Sequence, residues 1–272
     1  MERDKLFDGS LTSCLKKMTK WKATRHFLPP RHLKKRISIA FHILSRDKTS
    51  YLILFTIYII ALMLGNASLL AIQWTLDKSF SHSPHQIVMQ ITANMPVNLW
   101  AGLINTIVIY TILAALKRPD HKIQFSDLLS IKNVVSLNFV SSCLILHLIL
   151  SSPLLISHAL LLFNITWTII YWLFGFFLNY LFALGQFLII EDPSISLTSC
   201  LVWSVAASFS PETIVTIMLT HAVVFFLYPY LITVPFCIIL QITTFYEVFG
   251  YSRDENETSY LRSPSEEIIN DQ

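Results

Sequence analysis

The chain has 272 residues, 54% hydrophobic and 14% charged, with a formal net charge of +3 and a mean hydropathy of +0.57. That balance excludes an ordinary soluble domain, and the length allows one or two domains. Four cysteines (Cys14, Cys143, Cys200 and Cys237) lie far apart without CxxC spacing, which excludes a disulfide framework or zinc site and predicts small buried hydrophobes.

The first fifty residues carry thirteen of the twenty Lys and Arg. A basic region this long before the first apolar run does not fit a secretory signal. Leu11, Cys14, Leu15 and Met18 recur at helical spacing, with Lys16, Lys17, Lys20 and Lys22 interleaved and Trp21 at the edge. Pro29-Pro30 breaks that helix, and a second starts near Arg31. There Leu33, Ile37, Phe41 and Leu44 share one face, with Lys34, Lys35 and Arg36 off it. Residues 1–50 are therefore predicted to form a basic amphipathic cytoplasmic arm whose partners are the lipid bilayer and its anionic lipids. Neighbouring spans explain the basic run better than nucleic acid does.

Tyr51–Leu76 reads as the first span and Val97–Leu116 as the second, with a polar outer loop, Ser79–Pro96, between them. Trp74 and Trp100 fall near the outer ends, where interfacial aromatics are expected. The return loop Lys117–Lys132 carries four basic residues and a short helix for which Ser126 is the predicted cap. No charged residue occurs from Asn133 to Ile190. Those positions would reach about 87 Å as one helix, nearly three times a hydrocarbon core of about 30 Å. The run is predicted to be a hairpin: Asn133–Ser152, a turn at Ser151-Ser152-Pro153, and a return through Leu160–Ile190 that must tilt, bend near Gly175 or Gly185, or lie partly in the interface.

After Glu191, Asp192 is the predicted cap and Pro193 the first turn of a helix over Ser194–Ser208. At about 22 Å that helix is too short to cross, so it is predicted to lie along the interface. Leu201 and Val205 would face lipid or protein, and Ser204 and Ser208 water. Pro211–Tyr246 then fits two minimal spans around a turn at Tyr228-Pro229-Tyr230, and the tail Tyr251–Gln272 reads as polar and disordered.

The expected fold is all-α: a polytopic transmembrane helical bundle of about six spans over residues 51–250, arranged as three hairpins with interfacial amphipathic helices. Basic residues cluster before the first span and after the second, while the outer loops hold only Lys78, so both termini are predicted cytoplasmic. An amphipathic stretch precedes each hairpin (Arg31–Ser45, Gln124–Lys132, Ser194–Ser208), as either ordinary loop composition or a threefold repeat.

The sequence holds no HExxH, GxSxG, P-loop lysine or paired-aspartate motif, and no charge deep within a predicted span. No catalytic, cofactor-binding or metal residue is predicted, and the chain does not read as an enzyme. His147, His158 and His221 lie in predicted spans and are read as neutral, hydrogen-bonded helix partners rather than a metal or proton site. Asn66, Asn105, Asn138, Asn164, Asn179, Gln186 and Gln241 are read as interhelical hydrogen-bonding groups. The glycosylation patterns at Asn66 and Asn164 fall inside predicted spans, and the one at Asn256 in a cytoplasmic tail, so all three are discounted.

Three stretches carry a family likeness: FSDLLS (Phe125–Ser130), FLIIEDPSISLTSCLVWSVAAS (Phe187–Ser208) and YEVFG (Tyr246–Gly250). In layout the chain resembles the YciC-like group of bacterial inner-membrane proteins, from which it departs by a longer arm, a longer central hairpin and fewer glycines. The resemblance implies a multi-pass bacterial inner (plasma) membrane location, no known catalysis and no site residues. The expected function is a scaffold or accessory factor of the envelope, partnered by lipid and other membrane proteins. The alternative is a permease or channel for a small neutral solute, lined by buried amide and hydroxyl side chains. An enzyme using His147, His158 or His221 is the third reading.

Overall fold

The computed structural model describes residues 11–27, 32–77, 85–117, 122–131, 135–160, 164–227 and 233–252. The arm contains α1 (Leu11–Ala23), a two-residue strand β1 (Arg25–His26) and α2 (Leu33–Arg46). Three antiparallel helix pairs follow: α3 (Lys48–Asp77) with α4 (His85–Leu116), α6 (Leu137–Leu160) with α7 (Ile165–Phe182), and α10 (Pro211–Leu227) with α11 (Thr233–Phe249). Between them lie the short helices α5 (Phe125–Ser130), α8 (Gly185–Glu191) and α9 (Leu197–Ser208). The strand β2 (Tyr251–Ser252) closes the described chain by pairing antiparallel with β1.

Among the described residues, four helices are long and apolar enough to cross a membrane, or up to five if α9 and α10, bent by 93°, count as one. The chain is thus a helical, multi-pass membrane protein by hydropathy. Lipid accounts for the surface it exposes: Ile53, Ile57 and Met63 on α3, and Trp172, Leu173 and Phe177 on α7. The buried core lies elsewhere. It gathers around α8 and α11, whose side chains meet Ile43 of α2, Phe55 of α3, Ile112 of α4 and Leu146 of α6.

Several helix boundaries differ from the sequence-based expectation. The segment expected as outer loop is helical from His85, and α4 continues through Pro96. The expected turn at Ser151-Ser152-Pro153 is also helix, and α6 runs on to Leu160. Proline removes one amide donor, here the one that would bond the Ile149 carbonyl. The Ser152 hydroxyl reaches that carbonyl instead, at 3.5 Å, so the helix survives. The turn falls at Asn164, whose Oδ1 accepts the amides of Thr166 and Trp167 and caps α7. Asn164 is therefore an exposed cap, not an intramembrane amide.

Near Gly185 the helix is interrupted rather than sharply bent: α7 ends at Phe182, α8 starts at Gly185, and Ile165–Glu191 still reads as one span. Gly175 stays inside α7, where an added Cβ would stand 3.0 Å from Leu154. The cap of α5 is Gln124 rather than Ser126, because Asp127 reaches back to accept the Gln124 amide at 2.8 Å. Asp192 likewise does not open a helix. Its Oδ1 accepts the Ser194 amide and hydroxyl in a tight turn, and α9 begins later, capped by Ser196. The predicted turn at 228–230, the sequon at Asn256 and the tail beyond Ser252 lie outside the described residues; Tyr251 and Ser252, expected in the tail, are strand.

Candidate functional site

Sequence reasoning placed the arm on lipid. The structure adds a protein face to the arm, at the end of the bundle where α3 begins and α4, α8 and α11 finish, while Leu11 and Leu15 stay exposed. The most telling residue is Arg36. It was expected off the apolar face, yet its side chain is 2% exposed and bonds Glu247, itself 2% exposed, with Nη2–Oε2 at 2.7 Å and Nε–Oε1 at 3.3 Å. Nη1 donates to the Glu212 carbonyl at 3.0 Å and to the Thr216 hydroxyl at 2.9 Å, and Thr216 meets Thr244 at 2.8 Å. Every bond of this guanidinium leads to α10 or α11. A physical reason lies in the helix dipoles: Arg36 sits in the first turns of α2 and Glu247 in the last turn of α11, where each alone is unfavourable. Pairing them offsets both.

A second junction holds α1. Arg25 bonds Glu191 at 2.9 Å and stacks 4.3 Å over Trp21, while Lys117 approaches the other Glu191 oxygen at 3.4 Å. Trp21 packs on Trp203 and Phe249 with ring centroids 5.3 and 5.8 Å away, and Lys22 lies over Phe249. Burial there draws the Lys22 ammonium below the ordinary lysine range. Trp203 donates its indole N–H to the Cys14 carbonyl at 2.8 Å, and the Ser199 hydroxyl meets Cys14 Sγ at 3.6 Å. Cys14 is fully buried, as are the other three cysteines.

Between α1, the Asp192 turn and α9 opens a cleft of about 490 Å³. Lys17 and Lys20 line one wall, Asp192, Ser194 and Ser196 the other, and Trp21 and Trp203 the base. The opposite side of α9 faces the α7–α8 break rather than water. Ser204 donates to the Leu181 carbonyl at 3.1 Å, Cys200 to the Gly185 carbonyl at 3.2 Å, and Tyr180 donates to the Ser208 carbonyl at 2.6 Å. The end of α7 leaves carbonyls without intrahelical donors, and Ser204 satisfies the one at Leu181. Ser204 and Ser208, expected near water, are therefore buried, and α9 is sandwiched in protein.

The buried amides form interhelical bonds, as expected for Asn105 with Gln186 (2.9 Å), Asn179 with the Leu150 carbonyl (3.1 Å) and Gln241 with Thr220 (3.2 Å). His147 and His221 sit in different surroundings. His147 lies against Gly102, where an added Cβ would stand 2.4 Å from its ring, and His221 bonds the Ile217 carbonyl beside Phe176. The side chains of His158 and Asn66 lie outside the described residues. His147 Nε2 and Ser151 Oγ, one helical turn apart on α6, are buried without a hydrogen-bond partner. Among the described residues no cluster of His, Cys, Asp or Glu fits a metal. The chain matches no family model, no curated protein and no solved structure.

Proposed function

We propose that this chain is a non-catalytic scaffold or accessory factor of a bacterial inner membrane, with six spans in three hairpins and both ends cytoplasmic. The observation that supports this reading is the double anchoring of the arm, through Arg36–Glu247 and Arg25–Glu191–Lys117. These pairs draw the arm and the basic ends of the spans onto one face, as the positive-inside count requires of a cytoplasmic side. They also turn the arm into a rigid platform with the Lys16, Lys17 and Lys20 side chains outward, suited to anionic lipid and to other membrane proteins. The likeness of FSDLLS and the Glu191–Ser208 stretch to the YciC-like group supports the same location. Reporter fusions after Gly250 and within 79–84 test the topology, and opposite sides are expected. Crosslinking in native membranes followed by purification tests the scaffold role through a stable partner.

A permease for a small neutral solute is the second reading, favoured by the buried polar groups His147 Nε2 and Ser151 Oγ on α6 and by the Asn105–Gln186 bond. Liposome swelling with neutral solutes separates the two. Flux that disappears on His147→Leu would establish the permease, and unchanged permeability leaves the scaffold.

A further inference from the structure

We propose that the cleft between α1 and α9 holds a phosphate ester bearing a primary ammonium, the chemistry of an ethanolamine phospholipid headgroup. Its two walls carry opposite charges. Lys20 stands on α1 and Asp192 on the facing turn, and neither makes an ion pair with the other or with any described residue. Opposite charges that share a cleft without meeting suit a ligand that carries both signs, set apart by a short linker. Among the described residues, Asp192 accepts the Ser194 amide and hydroxyl on Oδ1, which fixes the carboxylate in place and leaves Oδ2 its lone pairs. A purely anionic ligand would meet that carboxylate, and a purely cationic one the lysines.

The rest of the cleft fits the same class. Lys17 adds a second cation on the α1 wall, and Ser194 and Ser196 place hydroxyls at the other. Trp21, Trp203 and Ile195 supply an apolar base against which a glycerol backbone can rest. A volume of about 490 Å³ lies within the roughly 300–1,000 Å³ of small-ligand pockets. The location fits a lipid: Leu11 and Leu15 on α1 remain exposed, as expected of a helix at the hydrocarbon boundary, and indoles favour that depth. Phosphate would face Lys20 and Lys17, and the ammonium would donate to Asp192 Oδ2. This inference rests on the membrane-embedded reading and goes beyond the scaffold role.

Native mass spectrometry of the full-length protein, purified in mild detergent and offered equal amounts of ethanolamine, choline and glycerol phospholipids, tests it. The ethanolamine lipid should be retained about tenfold over the other two, the discrimination expected of one charge-assisted hydrogen bond. Asp192→Asn keeps the Oδ1 turn and should abolish that preference while raising retention of the anionic glycerol lipid. Lys17→Gln with Lys20→Gln should weaken all three. Soluble glycerophosphoethanolamine is added as competitor. Displacement of bound lipid assigns the cleft to soluble phosphoesters, failure to displace assigns it to the lipid, and both support the headgroup chemistry. Equal retention of ethanolamine and choline lipids, or a preference that survives Asp192→Asn, overturns the proposal. Unchanged thermal midpoints of the variants exclude misfolding as the cause. Alkaline extraction of the same membranes separates the premises: protein that stays membrane-bound without a preference defeats only this inference, whereas extracted protein defeats the membrane reading and the inference with it.

Discussion

The bundle contains two polar clusters that treat their buried groups differently. At the α2–α10–α11 corner, Arg36 has partners for all three of its nitrogens in Glu247, Thr216 and the Glu212 carbonyl. On α6, where the His147 ring lies against α4 beside the Asn98 backbone, His147 Nε2 and Ser151 Oγ are buried with no partner in hydrogen-bond geometry among the described residues. A buried ion pair is costly to desolvate but far costlier to break, whereas an unsatisfied group is a standing penalty that its removal relieves. The corner is thus a clamp. The seam is a place where the fold tolerates loss.

The sharpest way to break that contrast is Arg36→Met, which strands the Glu247 carboxylate in a dry corner. The expected loss is about 3–5 kcal/mol, read as unfolding in detergent, and Arg36→Met with Glu247→Leu should recover most of it. Recovery failing in the double variant would mean that the corner depends on the shape of the arginine rather than on charge.

Next in size is Gly102→Ala. Its Cβ would stand 2.4 Å from the His147 ring, so the ring must move, at about 1–3 kcal/mol. Adding His147→Ala should remove most of that penalty, which places the cost in the ring rather than in α4. Thr216→Val takes one acceptor from Arg36 and the bond to Thr244, and should cost about 1–2 kcal/mol. The smallest effect has the opposite sign. Ser151→Ala deletes an unpartnered buried hydroxyl and should leave stability unchanged or raise it by up to about 1 kcal/mol. A clear loss there would show that the hydroxyl has a partner in the membrane.

The hairpins were legible because lipid forbids isolated charges, so charge-free runs mark spans and Lys117-Arg118 or Glu191-Asp192 mark their ends. The break before Gly185 was one of several outcomes that length allowed, since the run from Leu160 to Ile190 exceeds one perpendicular crossing. Arg36 was not, because its partner Glu247 lies 211 positions away, and a helical wheel of α2 shows only its neighbours on one element. Pro153 misled for a local reason: the Ser152 hydroxyl replaces the bond that the proline removes. The serines of α9 misled for a distant one, since the carbonyl that Ser204 bonds belongs to α7. In the candidate cleft, Lys17, Lys20 and Asp192 were each visible as charges. What brings them to one opening is the docking of α1 on α9, which no periodicity announces.

The pairing of β1 with β2 joins the arm to the segment just beyond the last helix. Seen along the time axis of synthesis, this makes an early-made element wait for a much later one. Arg25 and Arg36 emerge from the ribosome long before Glu191, Glu247 or Tyr251 exist, and their bonds cannot close until nearly the whole chain has been inserted. Throughout that interval the arm lacks these partners, and its lysines and arginines stay available to anionic surfaces. Its burial is then the final step of assembly, and a chain truncated before α11 would insert its early hairpins yet leave the arm undocked.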